Sequence, residues 1–88
     1  MTFVKFEPGS GFLSVSGHAG SAPRGRDLVC AALSILAETA AAQPGARTRR
    51  GEALVEIEAA PEKLAALAPG FRLLARDWPQ FVTYEEET

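Results

Sequence analysis

The chemistry open to this chain depends first on one cysteine and one histidine, since it contains no second copy of either residue. Both lie in the stretch GHAGSAPRGRDLVCAALSIL (17–36), with His18 twelve positions before Cys30. A thiolate is a strong nucleophile, and an imidazole can take up the thiol proton and later donate it to a leaving amine. The pair therefore suits cleavage of a peptide bond, although the spacing alone also fits a buried unreactive thiol and an ordinary loop histidine.

The residues around the pair predict a loop followed by a helix. Residues 18–26 hold two glycines and one proline, which is typical of a loop. Asp27 is a good N-cap, and we predict a helix of about four turns from there to residue 42. Cys30 would then lie in the first turn, where unpaired N–H groups favour an anion and can stabilise an oxyanion. Ser34, one turn further on, and Asp27 are candidates for a group that orients the base, with capping the expected main role of Asp27.

The remaining pattern predicts one α+β domain over residues 1–88 with the order ββαβαβ. Strands are expected at residues 2–7, 12–17, 52–59 and 80–85. Pro61 can open a second helical stretch, which Pro69-Gly70 should kink or divide. We expect a four-stranded, mainly antiparallel sheet with two helices on one face. Residues 46–51 should form a basic, solvated turn, with contact to RNA as the minor alternative, and residues 85–87 a frayed acidic tail.

A small core and an uncovered helix flank predict a homodimer. The first helix carries an apolar stripe of Val29, Leu33, Leu36 and Ala40, whereas Leu28 and Ile35 fall well away from it. In so small a protein, this second flank suggests contact with another copy. The core should use the larger apolar residues, namely Phe3, Phe6, Phe12, Leu33, Leu36, Ile57, Leu67, Leu74, Trp78 and Phe81.

Composition argues against several classes of protein. The net charge of −2 and a pI near 5.3 do not favour nucleic-acid binding. A lone cysteine makes no internal disulfide, which fits a reducing cytoplasm. The N-terminus lacks the pattern of a signal peptide, and no apolar run approaches the ~20 residues of a membrane span. One Cys and one His make an incomplete metal site, so we expect neither metal nor cofactor.

The motif around the pair resembles the signature of the ribosomal-processing cysteine protease Prp family, also called YsxB-like. The shared residues are Gly17-His18-Ala19, then Gly25, then the run DLVCAALS at 27–34. The later pattern RLLARDWPQFVTYE (72–85) is similar to the family's aromatic-Pro-x-aromatic-Val ending, so the resemblance extends over most of the chain. The loop departs from the family, since SAPR (21–24) stands where aromatic and acidic residues are common.

The resemblance implies a cytoplasmic cysteine endopeptidase that is dimeric through its helices. Family members remove a short N-terminal extension from the precursor of large-subunit ribosomal protein L twenty-seven, cutting after a pair of aromatic residues. Carried over by position, the resemblance makes Cys30 the nucleophile and His18 the base. Gly17, Asp27 and Ser34 then match supporting positions, and the loop with Ala19, Gly20 and Gly25 could order over a bound peptide.

The sequence also fits two other functions. A non-catalytic, ribosome-associated module of the same fold would bind protein without needing the thiol. A redox sensor would use a reactive cysteine, but the chain supplies no second cysteine to resolve an oxidised one.

Overall fold

The computed structural model describes the backbone of residues 1–17 and 24–87, and the side chains of 1–17 and 28–87. Within these residues the chain forms an α+β fold of five strands and three helices. They are β1 (Thr2–Glu7), β2 (Phe12–Ser16), α1 (Arg24–Ala41), β3 (Arg47–Gly51), β4 (Leu54–Glu58), α2 (Pro61–Ala65), α3 (Ala68–Asp77) and β5 (Val82–Glu86). The α+β class is confirmed, but the order is ββαββααβ rather than ββαβαβ. None of the described helices is long and apolar enough to cross a membrane.

The strands form one mixed sheet in the order β3-β4-β2-β1-β5. β1 and β2 make the predicted antiparallel hairpin, with Val4 opposite Val15. β2 also pairs with β4, and β4 with β3, in antiparallel fashion. β5 joins the other side of β1 in parallel, which the long connection through the helices allows. The sheet is therefore mainly antiparallel, but it has five strands and not the four expected.

The extra strand is β3, in the segment that we predicted to be a basic turn. RTRRG (47–51) has no apolar alternation, and all five of its residues are exposed. Its strand conformation comes from pairing with β4, where Thr48 lies opposite Ile57. Because β3 is an edge strand, its arginines also discourage pairing with another chain.

Two helix boundaries differ from the prediction. α1 begins at Arg24, so Asp27 lies inside its first turns and is not the N-cap, and Cys30 is the seventh helical residue. The second helical stretch is divided, as expected, but the break lies at 66–67, before Pro69. A proline is tolerated in the first turn of a helix, where its missing N–H leaves no bond unmade. Pro69 therefore lies in the first turn of α3 instead of breaking it, and the described residues form three helices rather than two.

The core lies between the helices and one face of the sheet. The predicted stripe of α1 is confirmed, with Val29, Leu33 and Ala40 buried and Leu36 packed against the core. Phe6, Ile57 and Leu74 are also buried as expected. Phe3 was wrongly assigned to the core, because strand alternation turns it to the opposite face from Val4 and Phe6. Trp78 was also wrongly assigned: it follows the end of α3 and is 36% exposed.

The C-terminal glutamates belong to the sheet and do not fray as predicted. Glu85 and Glu86 lie in β5, opposite Lys5 and Phe6 of β1. The N–H of Glu87 donates to the carbonyl oxygen of Phe6 at 2.9 Å, and its carboxylate lies 3.3 Å from the Lys5 ammonium. Parallel pairing with β1 thus continues almost to the end of the chain.

An ion pair links α1 to the edge strand β3. The guanidinium of Arg50 donates two hydrogen bonds to the Glu38 carboxylate, at 2.7 and 2.9 Å. These bonds lower the pKa of Glu38, with a further contribution from the charge of Arg50. A carboxyl group with a lowered pKa stabilises the fold above its ordinary pKa, and this contribution is lost as the pH falls through the lowered value.

We therefore expect Arg50→Gln to raise the pKa of Glu38 towards its ordinary value, which a carboxyl-carbon NMR titration measures. High salt should reduce the difference between wild type and variant, because both side chains are about half exposed and are screened. An identical Glu38 titration in the two proteins would show that the pair does not form in solution.

Gly17 directly follows β2, and the backbone conformation at this position favours glycine. Its φ is +92°, and a Cβ added there would collide with the carbonyl oxygen of Met1. Gly45 has a similar φ of +80° but open space around it. Gly45→Ala should therefore cost about 1–2 kcal/mol from backbone conformation alone. Gly17→Ala should cost roughly 2–5 kcal/mol, since the collision adds to the same conformational cost. Urea unfolding of both variants measures the difference, and equal losses would contradict this account of Gly17.

Candidate active site

A cleft of about 310 Å³ lies between α1 and the β3–β4 hairpin. Its floor comes from the ends of β1 and β2, and its described lining is about equally polar and apolar. The lining residues are Thr2, Val15, Gly17, Cys30, Leu33, Ser34, Ala37, Glu38, Arg50, Ala53, Leu54 and Val55. A hollow that combines apolar side chains with polar groups at set positions is typical of a ligand-binding site.

Cys30 lies in this cleft because of its place on α1. The preceding residue, Val29, is 1% exposed and faces the core. One residue further along a helix the side chain turns by about 100°, which moves Cys30 from the core to the edge of the buried stripe. Its thiol is free and half-buried. The cysteine is thus held by the core and still borders a space that a peptide can enter.

Ser34 stands next to Cys30 on the same helical face, four residues on. A helical serine often bonds back to the carbonyl oxygen four residues earlier, as Thr39 does to Ile35 at 2.6 Å. The Ser34 hydroxyl makes no such bond to Cys30 or to any other described residue, and its side chain is exposed. It is therefore free to interact with a molecule in the cleft.

The structure brings three predicted site residues together, namely Gly17, Cys30 and Ser34. The N–H of Gly17 donates to the carbonyl oxygen of Ala53 at 2.8 Å, which joins the end of β2 to the β3–β4 turn. His18, Ala19 and Gly20 lie outside the described residues. Asp27 and Gly25 lie within α1. Gly25 was therefore wrongly placed in the loop. The first turn of α1, which was predicted to contain Cys30, begins at Arg24 and precedes the cysteine.

Sequence reasoning missed the apolar lining residues and three polar contributors to the cleft: Thr2, Glu38 and Arg50. Glu38 could have been identified from the sequence, because the i, i+4, i+8 spacing of Cys30, Ser34 and Glu38 places all three on the same face of a helix. Arg50 and Thr2 gave no local signal, because only the sheet order brings β1 and β3 near α1. Within the described part of the chain, no group of three or more His, Cys, Asp or Glu residues is arranged to hold a metal ion.

Comparison with solved structures shows the same fold in two bacterial proteins. The crystal structure of SMU.848 from Streptococcus mutans is 22% identical, with a TM-score of 0.69, over 99% of this chain and 92% of that one. The essential ribosomal processing protease Prp from S. aureus matches in two complexes, each over 99% of this chain and 100% of that one. The complex with a covalently linked product peptide is 15% identical, with a TM-score of 0.70. The complex with a substrate peptide is 13% identical, with a TM-score of 0.71.

Sequence comparison identifies the family. No significant match was found among curated protein sequences. The sequence model of cysteine protease Prp, however, matches residues 1–74, which include both strands of the opening hairpin, the whole of α1 and the cysteine in the cleft. The chain therefore belongs to the cysteine protease Prp family.

Proposed function

We propose that this protein is a cysteine endopeptidase that removes a short N-terminal extension from the precursor of ribosomal protein L twenty-seven. The observation that carries the proposal is the position of Cys30, half-buried in a peptide-sized cleft of a Prp-family fold. Cys30 is the nucleophile and His18 the general base. The two S. aureus complexes support a peptide substrate, since that protease binds a substrate peptide in one and a covalently linked product peptide in the other.

Gly17 supports the pairing of His18 with Cys30. It lines the same cleft as Cys30, and His18 is the next residue in the chain. Replacing Gly17 would disturb the backbone at this edge of the cleft, because the glycine is packed against the backbone of Met1.

The reaction follows from these positions. The aromatic pair of the substrate binds against the apolar lining, and the thiolate of Cys30 attacks the carbonyl carbon of the scissile bond. His18 takes the thiol proton and gives it to the leaving amine, after which water hydrolyses the acyl-enzyme. The N–H of Cys30 lies inside α1 and is used by the helix, so the oxyanion needs another donor. The Ser34 hydroxyl, adjacent to the thiol and without a described partner, suits that role.

The setting of the reaction is proposed from charge and cysteine content. A reducing cytoplasm keeps a lone catalytic thiol active, and the net charge of −2 suits a basic ribosomal protein better than RNA. The arginines of β3 do not require an RNA partner, since Arg50 pairs with Glu38 and Arg49 lies 3.9 Å from Glu56.

We also propose that the protein is a homodimer formed through α1. Leu28 is 72% exposed and Ile35 is 68% exposed. They are seven residues apart and therefore share one face of the helix, away from the buried stripe. When a second copy covers leucine and isoleucine side chains exposed in this way, the removal of their apolar surface from water stabilises the dimer.

Incubation of the host's L twenty-seven precursor with purified protein tests the peptidase. Wild type should release a shortened product that mass spectrometry detects, and Cys30→Ala should release none. His18→Ala should slow cleavage by about 10²–10⁴-fold, the usual contribution of a general base. Ser10→Ala, in an exposed turn outside the cleft, serves as the control. A precursor bound intact by all the variants would indicate a binding module instead, and undiminished cleavage by Cys30→Ala would contradict a thiol mechanism.

Sedimentation velocity over a concentration series tests the dimer. Wild type should sediment as a dimer, and Ile35→Glu should sediment as a monomer because the new carboxylate would be buried at the interface. Leu73→Glu is the matched control, since Leu73 is 47% exposed on α3 and lies outside the proposed interface. A monomeric wild type, or an Ile35→Glu dimer as tight as wild type, would contradict this interface.

A further inference from the structure

Thr2 is the one buried polar side chain in the described part of the molecule, with 4% of its surface exposed. Its backbone N–H donates to the carbonyl oxygen of Phe81 at 2.8 Å. Its hydroxyl makes no hydrogen bond to any described residue, and Thr2 lines the cleft that contains Cys30. A buried hydroxyl without a partner lowers stability, and such a group in a functional cleft calls for an explanation.

The sheet places this hydroxyl on the floor of the cleft. Thr2 alternates with exposed Phe3, so its side chain lies on the inner face with buried Val4. Continuing the register of the hairpin, in which Phe3 lies opposite Ser16, puts Thr2 beside Gly17. Gly17 has no side chain, so nothing from β2 covers the threonine at this point. The hydroxyl is thus the polar group of a floor that is otherwise small and apolar.

We propose that Thr2 is a substrate-binding residue whose hydroxyl donates a hydrogen bond to a backbone carbonyl oxygen of the peptide in the cleft. This proposal rests on the proposed peptidase function. A peptide that leaves water for the cleft needs partners for its own backbone groups, and the Thr2 hydroxyl is the partner that the floor offers. The bond is independent of substrate side chains, so it would hold the main chain at a set depth above the sheet. Free protein bears the cost of the unpaired hydroxyl, and bound peptide removes it.

The test compares Thr2→Val, which replaces the hydroxyl by a methyl group of similar size, with Thr2→Ser, which keeps the hydroxyl. Thr2→Val should lower kcat/KM on the precursor about 5–10-fold, the usual effect of one lost hydrogen bond. It should also raise the Tm of the free protein by roughly 4–8 °C, the shift expected in a domain of this size when one buried unpaired hydroxyl is removed. Thr2→Ser should retain most of the activity. Thr48→Val, an exposed threonine in β3 outside the cleft, should change neither.

Binding of the extension peptide to the inactive Cys30→Ala protein provides a second readout. Adding Thr2→Val to Cys30→Ala should weaken binding by a similar factor, which calorimetry measures whether or not cleavage occurs. If wild type binds this peptide but never cleaves it, the peptidase proposal fails while the role of Thr2 is still decided by the binding ratio. Unchanged kcat/KM and binding in Thr2→Val would overturn the inference. So would a lowered Tm in Thr2→Val, which would mean that the hydroxyl supports the fold, or an absence of peptide binding to Cys30→Ala.

Discussion

The packing of α1 on the inner face of the sheet is the constraint on which the rest of this structure depends. Val29, Leu33 and Ala40 are buried against strands that contribute Val4 and Ile57. Rotating the helix by one residue would expose this stripe and bury polar groups in its place, so the rotation of α1 is determined by the core. The neighbouring face, with Cys30 at its start, then borders the cleft as a consequence of packing.

The opposite wall of the cleft depends on a strand that has no core residues of its own. β3 is exposed throughout, and β4 carries the apolar Val55 and Ile57 that anchor the hairpin. β3 is held in place by backbone pairing with β4, and the Arg50–Glu38 ion pair links β3 to α1. The cleft therefore lies between two elements that are each attached to the same core and that this ion pair joins directly.

Stability and function make opposing demands at the cleft floor. Filling it with larger apolar side chains would bury more surface, whereas the floor carries Gly17 with a positive φ and Thr2, whose hydroxyl has no hydrogen-bond partner among the described residues. Unsatisfied groups and unusual backbone conformations are costly and often mark functional sites. The same fold occurs at 13–22% identity in the solved structures, which is expected when a buried pattern, and not surface detail, specifies the architecture.

Much of this protein could be predicted from local pattern. Alternation in FLSVS and helical spacing from Val29 to Ala40 identified the opening hairpin and the face of α1 that is buried. The Gly-His-Ala and DLVCAALS segments identified the family, because the motif lies within a few consecutive elements. The start of α1 was misjudged because Asp27 is a good cap in isolation, and propensity for a cap is weaker than the continuation of a packed helix.

The sequence by itself determined which face of α1 is buried, that this helix carries the thiol and which chemistry that thiol suits, because these depend on periodicity and residue type within short segments. Only the tertiary structure decided that RTRRG is a strand, that Glu85 and Glu86 pair with β1, and that Thr2 and Arg50 lie at the same cleft as Cys30. Strand order joins residues far apart in the chain, and its energy comes from non-local pairing that no local pattern records.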